Sequence, residues 1–119
     1  QIMITPSNIT LNKDKNLLTL TFEDVDYPLS AEFLRVYSPS AEVVGHGPGQ
    51  ETLQLGKENV KIDRINPTGN YAIILFFNDG HDTGIYSWTH LHKLATDQST
   101  LWSTYLKRLK EAGHSHSQL

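Results

Sequence analysis

Residues 70–88 read Asn70-Tyr71-Ala72-Ile73-Ile74-Leu75-Phe76-Phe77-Asn78-Asp79-Gly80-His81-Asp82-Thr83-Gly84-Ile85-Tyr86-Ser87-Trp88. An apolar run, Tyr71 to Phe77, has the length of a strand, and its unbroken apolarity predicts a central strand buried on both faces. Asp79-Gly80 is a strong hairpin signal, because these residues adopt left-handed turn backbone at little cost. The chain is therefore expected to fold back into a second strand over His81 to Tyr86. Ser87 can cap a helix from Trp88 to about Ala95, whose apolar residues Trp88, Leu91 and Ala95 share a face. His81 thus falls at the end of a rigid strand, among coordinating side chains, where a binding or catalytic group would be well oriented.

Working back toward the N-terminus, Val60 to Ile65 alternates apolar and charged residues as a strand does, and Pro67-Thr68-Gly69-Asn70 reads as the turn that follows it. Asn8 to Leu11 and Leu17 to Phe22 form a second hairpin across a polar turn. Leu18, Leu20 and Phe22 are its buried face, alternating with Thr19 and Thr21. Tyr27-Pro28-Leu29 suits a short edge strand, since proline cannot donate to a ladder. Ser30 is the expected N-cap of a short helix, Ala31 to Val36, ended by the approach to Pro39. From Ser38 to Asn59 there is little periodicity. A loop of this length in a compact domain is functional or mobile as a rule, and its glycine-rich centre, Gly45-His46-Gly47-Pro48-Gly49-Gln50, is the expected interaction loop. A last helix, about Gln98 to Glu111, carries Leu101, Trp102, Tyr105, Leu106 and Leu109 on one stripe, which reads as core packing rather than a partner-binding patch. Gly113 ends it, and the His-Ser-His-Ser tail is expected to be disordered.

The order of elements predicts a small single α+β domain with a mainly antiparallel sheet, short helices and a C-terminal amphipathic helix. The expected organisation is a domain over residues 1–95, a helix packed on it over 96–112, and a tail over 113–119. Its 119 residues are 38% hydrophobic and 19% charged, with a formal net charge of -3. Nucleic acid and acidic membrane surfaces are thus not the expected partners, and another protein is. Cysteine is absent, which excludes disulfides, thiolate zinc sites, cysteine-ligated iron–sulfur clusters and cysteine nucleophiles. The longest apolar run is far shorter than the ~20 residues a spanning helix needs, and no basic stretch precedes an apolar core near the N-terminus. A soluble, cytoplasmic protein is expected, of an oligomeric state that the sequence leaves open.

Three motifs in order carry a resemblance: Phe33-Leu34-Arg35-Val36-Tyr37-Ser38-Pro39-Ser40-Ala41-Glu42-Val43, then the Gly45 to Gln50 loop, then Gly69 through Tyr86. Over roughly Ile9 to Leu94 the chain resembles a bacterial domain-of-unknown-function family similar to the N-terminal domain of gamma-butyrobetaine hydroxylase. The resemblance implies no hydroxylase activity, because the iron- and 2-oxoglutarate-dependent catalytic domain that follows it in the hydroxylases is absent here. In the hydroxylases the domain holds zinc through three cysteines and a histidine. The resemblance places those cysteines at Ser38, Ser40 and Val43 and the histidine at His81.

A serine hydroxyl is a poor zinc ligand and valine offers none, so the cysteine site is not inherited. Two expectations for His81 follow. It hydrogen-bonds backbone across the Ser38 to Ser40 segment, the serines replacing ligands with hydrogen bonds. Alternatively, a remodelled site draws on His81, His46 and a carboxylate from Asp79 or Asp82, a nitrogen and oxygen set suited to iron, zinc or manganese; resemblance to domains fused to iron–sulfur-carrier ATPases would connect it to iron metabolism.

His90 and His92, two apart on a helix, face different ways, and at least one is expected in solvent. The glycine-rich loop lacks the Lys-Ser/Thr ending of a phosphate loop. A Ser-His-Asp set can be drawn from Ser38 or Ser40 with His81 and Asp79 or Asp82, but without a nucleophile elbow or oxyanion hole. No catalytic residue is assigned. A non-catalytic interaction or adaptor domain is the favoured function, and a metal-binding accessory domain for iron or zinc, through His81 and His46, is the alternative.

Overall fold

The computed structural model of the chain describes residues 5–39, 57, 59–82 and 84–113. The elements are β1 Asn8–Leu11, β2 Leu17–Phe22, β3 Val25–Ser30, α1 Ala31–Val36, β4 Ile62–Thr68, β5 Ala72–Phe77, β6 Ile85–Ser87, α2 Trp88–Thr96 and α3 Gln98–Glu111. The α+β class read from the sequence is correct. Instead of one antiparallel sheet, however, the described residues form two of three strands each, β1-β2-β3 and β4-β5-β6.

In the first sheet the period-two pattern of β2 works as read: Leu18, Leu20 and Phe22 are 0–1% exposed, while the alternating residues are partly exposed. Strands β2 and β3 are joined by Glu23 and Asp24, both with positive φ (51° and 65°). Two left-handed residues give the mirror-image turn that matches the twist of a hairpin. That turn lengthens the expected edge strand to Val25–Ser30, with Pro28 opposite Thr19. Ser30 then caps α1, its hydroxyl accepting from the Phe33 amide.

In the second sheet β5 is the central strand, as expected, but Tyr71 lies outside it and is half exposed. The strand before it runs over Ile62–Thr68 rather than 60–65, so Pro67 and Thr68 belong to the ladder and the turn is confined to residues around Gly69 and Asn70. Pro67 is tolerated because β4 is an edge strand. A bulge at Asp63 shifts the register between Ile62 and Arg64. After β5 the expected strand over 81–86 shrinks to Ile85–Ser87, pairing with Ala72–Ile74. The Asp79-Gly80 turn does form, with Phe77 N donating to His81 O at 3.0 Å, but the segment beyond it leaves the ladder.

The two sheets meet at the first hairpin's turn, where the Lys15 carbonyl accepts the Ile62 amide at 2.8 Å; the same turn holds the start of α1, the Asn16 carbonyl accepting the Ala31 amide at 2.9 Å. Between them sits α1, buried along its whole length, including Glu32 and Arg35. One core cluster combines Leu20 and Phe22, Phe33 and Leu34, Ile73 and Leu75, and Leu91 and Leu94, so both sheets, α1 and α2 share it. Each such side chain contributes about 1.5–3 kcal/mol by leaving water. A separate satellite of Val36, Tyr105 and Leu109 fixes α3 on the end of α1. No helix of the described residues is long and apolar enough to cross a membrane.

Candidate functional site

A short helix buried at its C-terminus must find partners for its last carbonyls, which have none within the helix. In α1 two of these partners are the amides that follow the helix and one comes from far along the chain. Phe33 O accepts the Tyr37 amide, and Arg35 O accepts the Ser38 amide at 3.4 Å. Leu34 O accepts the Tyr86 hydroxyl at 2.6 Å. Just past the helix, the Tyr37 carbonyl lies 3.1 Å from His90 Nε2, which must carry a proton to donate to it. Strand β6 and helix α2 thus supply side chains that finish α1.

Immediately beyond lies Ser38, 1% exposed, its Oγ hydrogen-bonded at 2.8 Å to Nε2 of His81, which is 5% exposed. The turn that presents His81 is set by Asp79. Its Oδ1 accepts the His81 backbone amide at 3.1 Å, and its Oδ2 takes both Arg35 Nε at 2.9 Å and Lys57 Nζ at 2.7 Å. Burial pushes the Asp79 carboxyl up. The Lys57 ammonium, the His81 amide and the Arg35 guanidinium together outweigh it and hold the group at about 2. Asp79 is therefore a carboxylate at any ordinary pH.

Tyr86 and Gly84 complete the junction. Burial pushes the Tyr86 phenol far above its ordinary value, against a smaller opposing hydrogen bond with Ser38, so it remains a neutral donor. Gly84 is buried, and a Cβ there would stand 2.5 Å from Ser38 Oγ and 3.1 Å from the Tyr86 ring. Glycine is needed because the hairpin backbone approaches the serine too closely for any side chain.

Of the residues singled out in the sequence, the fold brings Ser38, His81 and Asp79 together. Ser38 bonds His81 through its hydroxyl, so at this position a serine replaces a ligand with a hydrogen bond. Asp82 is exposed, in an open depression lined also by Asp63, Arg64, Phe76 and Gly80. Ser40, Val43, His46 and the rest of the Gly45 to Gln50 loop lie outside the described residues. Among the described residues no three His, Cys, Asp or Glu side chains are grouped to hold a metal ion. The positions matched to the family's zinc ligands offer a hydroxyl already bonded to His81, a second serine and a valine, a donor set that does not fit a thiolate zinc centre. Nor do Ser38, His81 and Asp79 make a triad. The Asp79 carboxylate is bonded to the His81 backbone amide and to two cations, and Ser38 is shut away from solvent.

His90 and His92 face different ways, as read, and each is partly exposed. His90 packs 5.9 Å from the Tyr86 ring, and burial holds its pKa below the ordinary value. His92 meets Phe22 edge-on at 5.1 Å and is partly buried. Trp102 and Tyr105 pack inward as read, Trp102 against Phe33 at 6.2 Å. Sequence reasoning missed Arg35, Lys57, Gly84 and Tyr86 as parts of the junction. Arg35 alone left a signal, a cation inside an otherwise apolar stretch, Phe33 to Val36.

This architecture defines a class, a small α+β domain of two antiparallel sheets closed around a buried helix by a polar junction. The family model of the gamma-butyrobetaine hydroxylase-like N-terminal domain matches residues 9–92, and the chain belongs to that family. Two protein structures solved in solution by NMR are similar over nearly the whole chain. One is 49% identical with a TM-score of 0.85, covering 96% of this chain and 90% of its own. The other is 46% identical with a TM-score of 0.77, covering 98% and 86%. A crystal structure of a protein of unknown function from Acidithiobacillus ferrooxidans, assigned to the DUF971 family, is 33% identical with a TM-score of 0.61, covering 76% of this chain and 91% of its own. No curated protein matches the chain.

Proposed function

We propose that the chain is a non-catalytic interaction domain of the bacterial cytoplasm. Its working surface is the Ser38 to Gln50 segment together with the Asp79 to Tyr86 hairpin, and its partner is another protein. The observation that carries this reading is the buried 2.8 Å bond between Ser38 and His81. It turns the two groups best suited to chemistry into a clamp between the two segments. Asp79 is spent in the same way, on Arg35, Lys57 and the turn. What the nearby surface offers a partner is half-exposed apolar area at Ile85, and the Arg64 guanidinium held 4.2 Å over the Phe76 ring. Such a mixture of aromatic, aliphatic and arginine surface is typical of protein contacts.

The competing arrangement, an iron or zinc ion held by His81 and His46 with Asp79 or Asp82, would require His81 to release Ser38, and Asp79, if it were the ligand, to release two cations. Elemental analysis of tag-free protein ending at Gly113 separates the two. The interaction reading expects no stoichiometric metal; an ion present in equal amount and lost in His81→Ala would overturn it. A pull-down with and without Gly45 to Gln50 then tests the surface, with loss of a specific partner on deletion as the expected result.

A further inference from the structure

Helices α2 and α3 are separated by a single residue, Asp97, with φ −102° and ψ 15°. Asp97 serves both helices as a cap: its amide donates the last bond of α2, to Lys93 O at 2.9 Å, and its carbonyl accepts the first bond of α3, from the Leu101 amide at 3.0 Å. The interruption is confined to this one residue, whose backbone departs from helical values by about 40° in φ and about 60° in ψ. Two features hold it open. The Thr96 hydroxyl bonds back to His92 O at 3.0 Å and also lies 3.4 Å from Lys93 O, a pattern that bends helices. Asp97 is a poor helix former and makes no side-chain cap bond at the start of α3.

What docks α3 is also self-contained. Its anchors are the satellite cluster with Val36, Leu101 and Trp102 packed on the main core beside Phe33, the Tyr37 hydroxyl donating to Leu101 O at 2.6 Å, and the Gln98 side-chain amide donating to Pro28 O at 3.0 Å. Every one of these contacts is reproduced if the α3 of a second copy enters the same groove. That is the condition under which an element exchanges between protomers at low cost.

We propose that Asp97 is a hinge for domain exchange. When it becomes helical, α2 and α3 fuse into one helix over residues 88–111, about 36 Å long at 1.5 Å per residue. The released α3 then docks on α1 of a second copy of this chain while that copy's α3 docks in return, giving a closed two-fold dimer. The partner is the chain itself, and the site it fills is the groove beside Val36 and Tyr37.

The test compares Asp97→Ala with Asp97→Gly in the full chain by concentration-dependent light scattering. Alanine favours the helical hinge over glycine about fivefold, and two hinges convert per dimer, so the dimerisation constants should differ about thirtyfold, the alanine variant being the tighter. Because the chain has no cysteine, Val36→Cys with Leu109→Cys reports connectivity without interference. Oxidised in the dimer fraction of Asp97→Ala, the pair should give covalent dimers on a denaturing gel. Covalent monomers there, equal constants for the two hinge variants, or an alanine variant that stays monomeric at every concentration would each overturn the proposal. Should the cysteine pair fail to fold, the hinge variants alone still decide it through the ratio of constants.

Discussion

The two sheets are alike in size and both antiparallel, yet they are closed by different chemistry. In β1-β2-β3 every connection is short and the partners are neighbours in sequence, so apolar alternation and one tight turn suffice. In β4-β5-β6 the last pairing is only three residues long, and the segment between β5 and β6 is fixed by side chains from α1 and the end of the long loop. Local pattern can build the first kind of structure unaided. The second kind holds only if residues some forty positions apart find one another.

The largest expected effect lies in the first sheet. Leu20→Ala opens a cavity in the shared core and should cost about 2–5 kcal/mol in chemical denaturation, with an unchanged denaturant slope. A smaller loss would mean that the first sheet is not as close-packed as its 0% exposed leucines indicate.

Next comes Gly84→Ala, which forces a methyl against Ser38 Oγ and the Tyr86 ring. It should cost about 1–3 kcal/mol. Amide exchange should accelerate in β5 and β6 before it does in β2; uniform acceleration would erase the distinction between the sheets. Tyr86→Phe removes the donor to Leu34 O and leaves that carbonyl buried and unpartnered, for about 1–2 kcal/mol.

The acid limb of stability sharpens the contrast, since the junction holds a carboxylate, Asp79, paired with two cations. Lys57, the His81 amide and Arg35 hold the Asp79 carboxyl at about 2, below the ordinary aspartate range. Its contribution is therefore full above about pH 4 and is lost as the pH falls toward 2. At a carboxylate this open to solvent it amounts to about 1 kcal/mol after screening. Asp79→Asn should flatten the stability profile across that window, and an unchanged profile would remove Asp79 from the junction. His90, held neutral by burial, acts at higher pH: its contribution is present above about 6.5 and declines as the pH falls below that.

The same contrast explains what could be read from the sequence. The β1–β2 hairpin, the Ser30 and Ser87 caps, α1 and α3 follow from patterns a few residues long, and their limits match those expected. Strand limits failed where long-range pairing overrode local signals. Pro67-Thr68 reads as a turn in isolation, but β5 is available to pair with it. His81 to Gly84 reads as a strand by its place after a turn, but its groups are drawn to Ser38 and Asp79 instead. The candidate site was legible at His81, Ser38 and Asp79 because their residue types are conspicuous. Lys57, Gly84 and Tyr86 were not, because their roles depend on distances that only the folded chain defines, and Arg35 showed only as a cation in an apolar stretch.

The most direct test of the central claim, that Ser38 and His81 form a clamp joining loop to hairpin, is a double-mutant cycle with Ser38→Ala and His81→Leu in chemical denaturation. A mutual hydrogen bond between buried groups predicts a coupling of about 1 kcal/mol, the double variant losing less than the sum of the single ones. Strictly additive losses would contradict it.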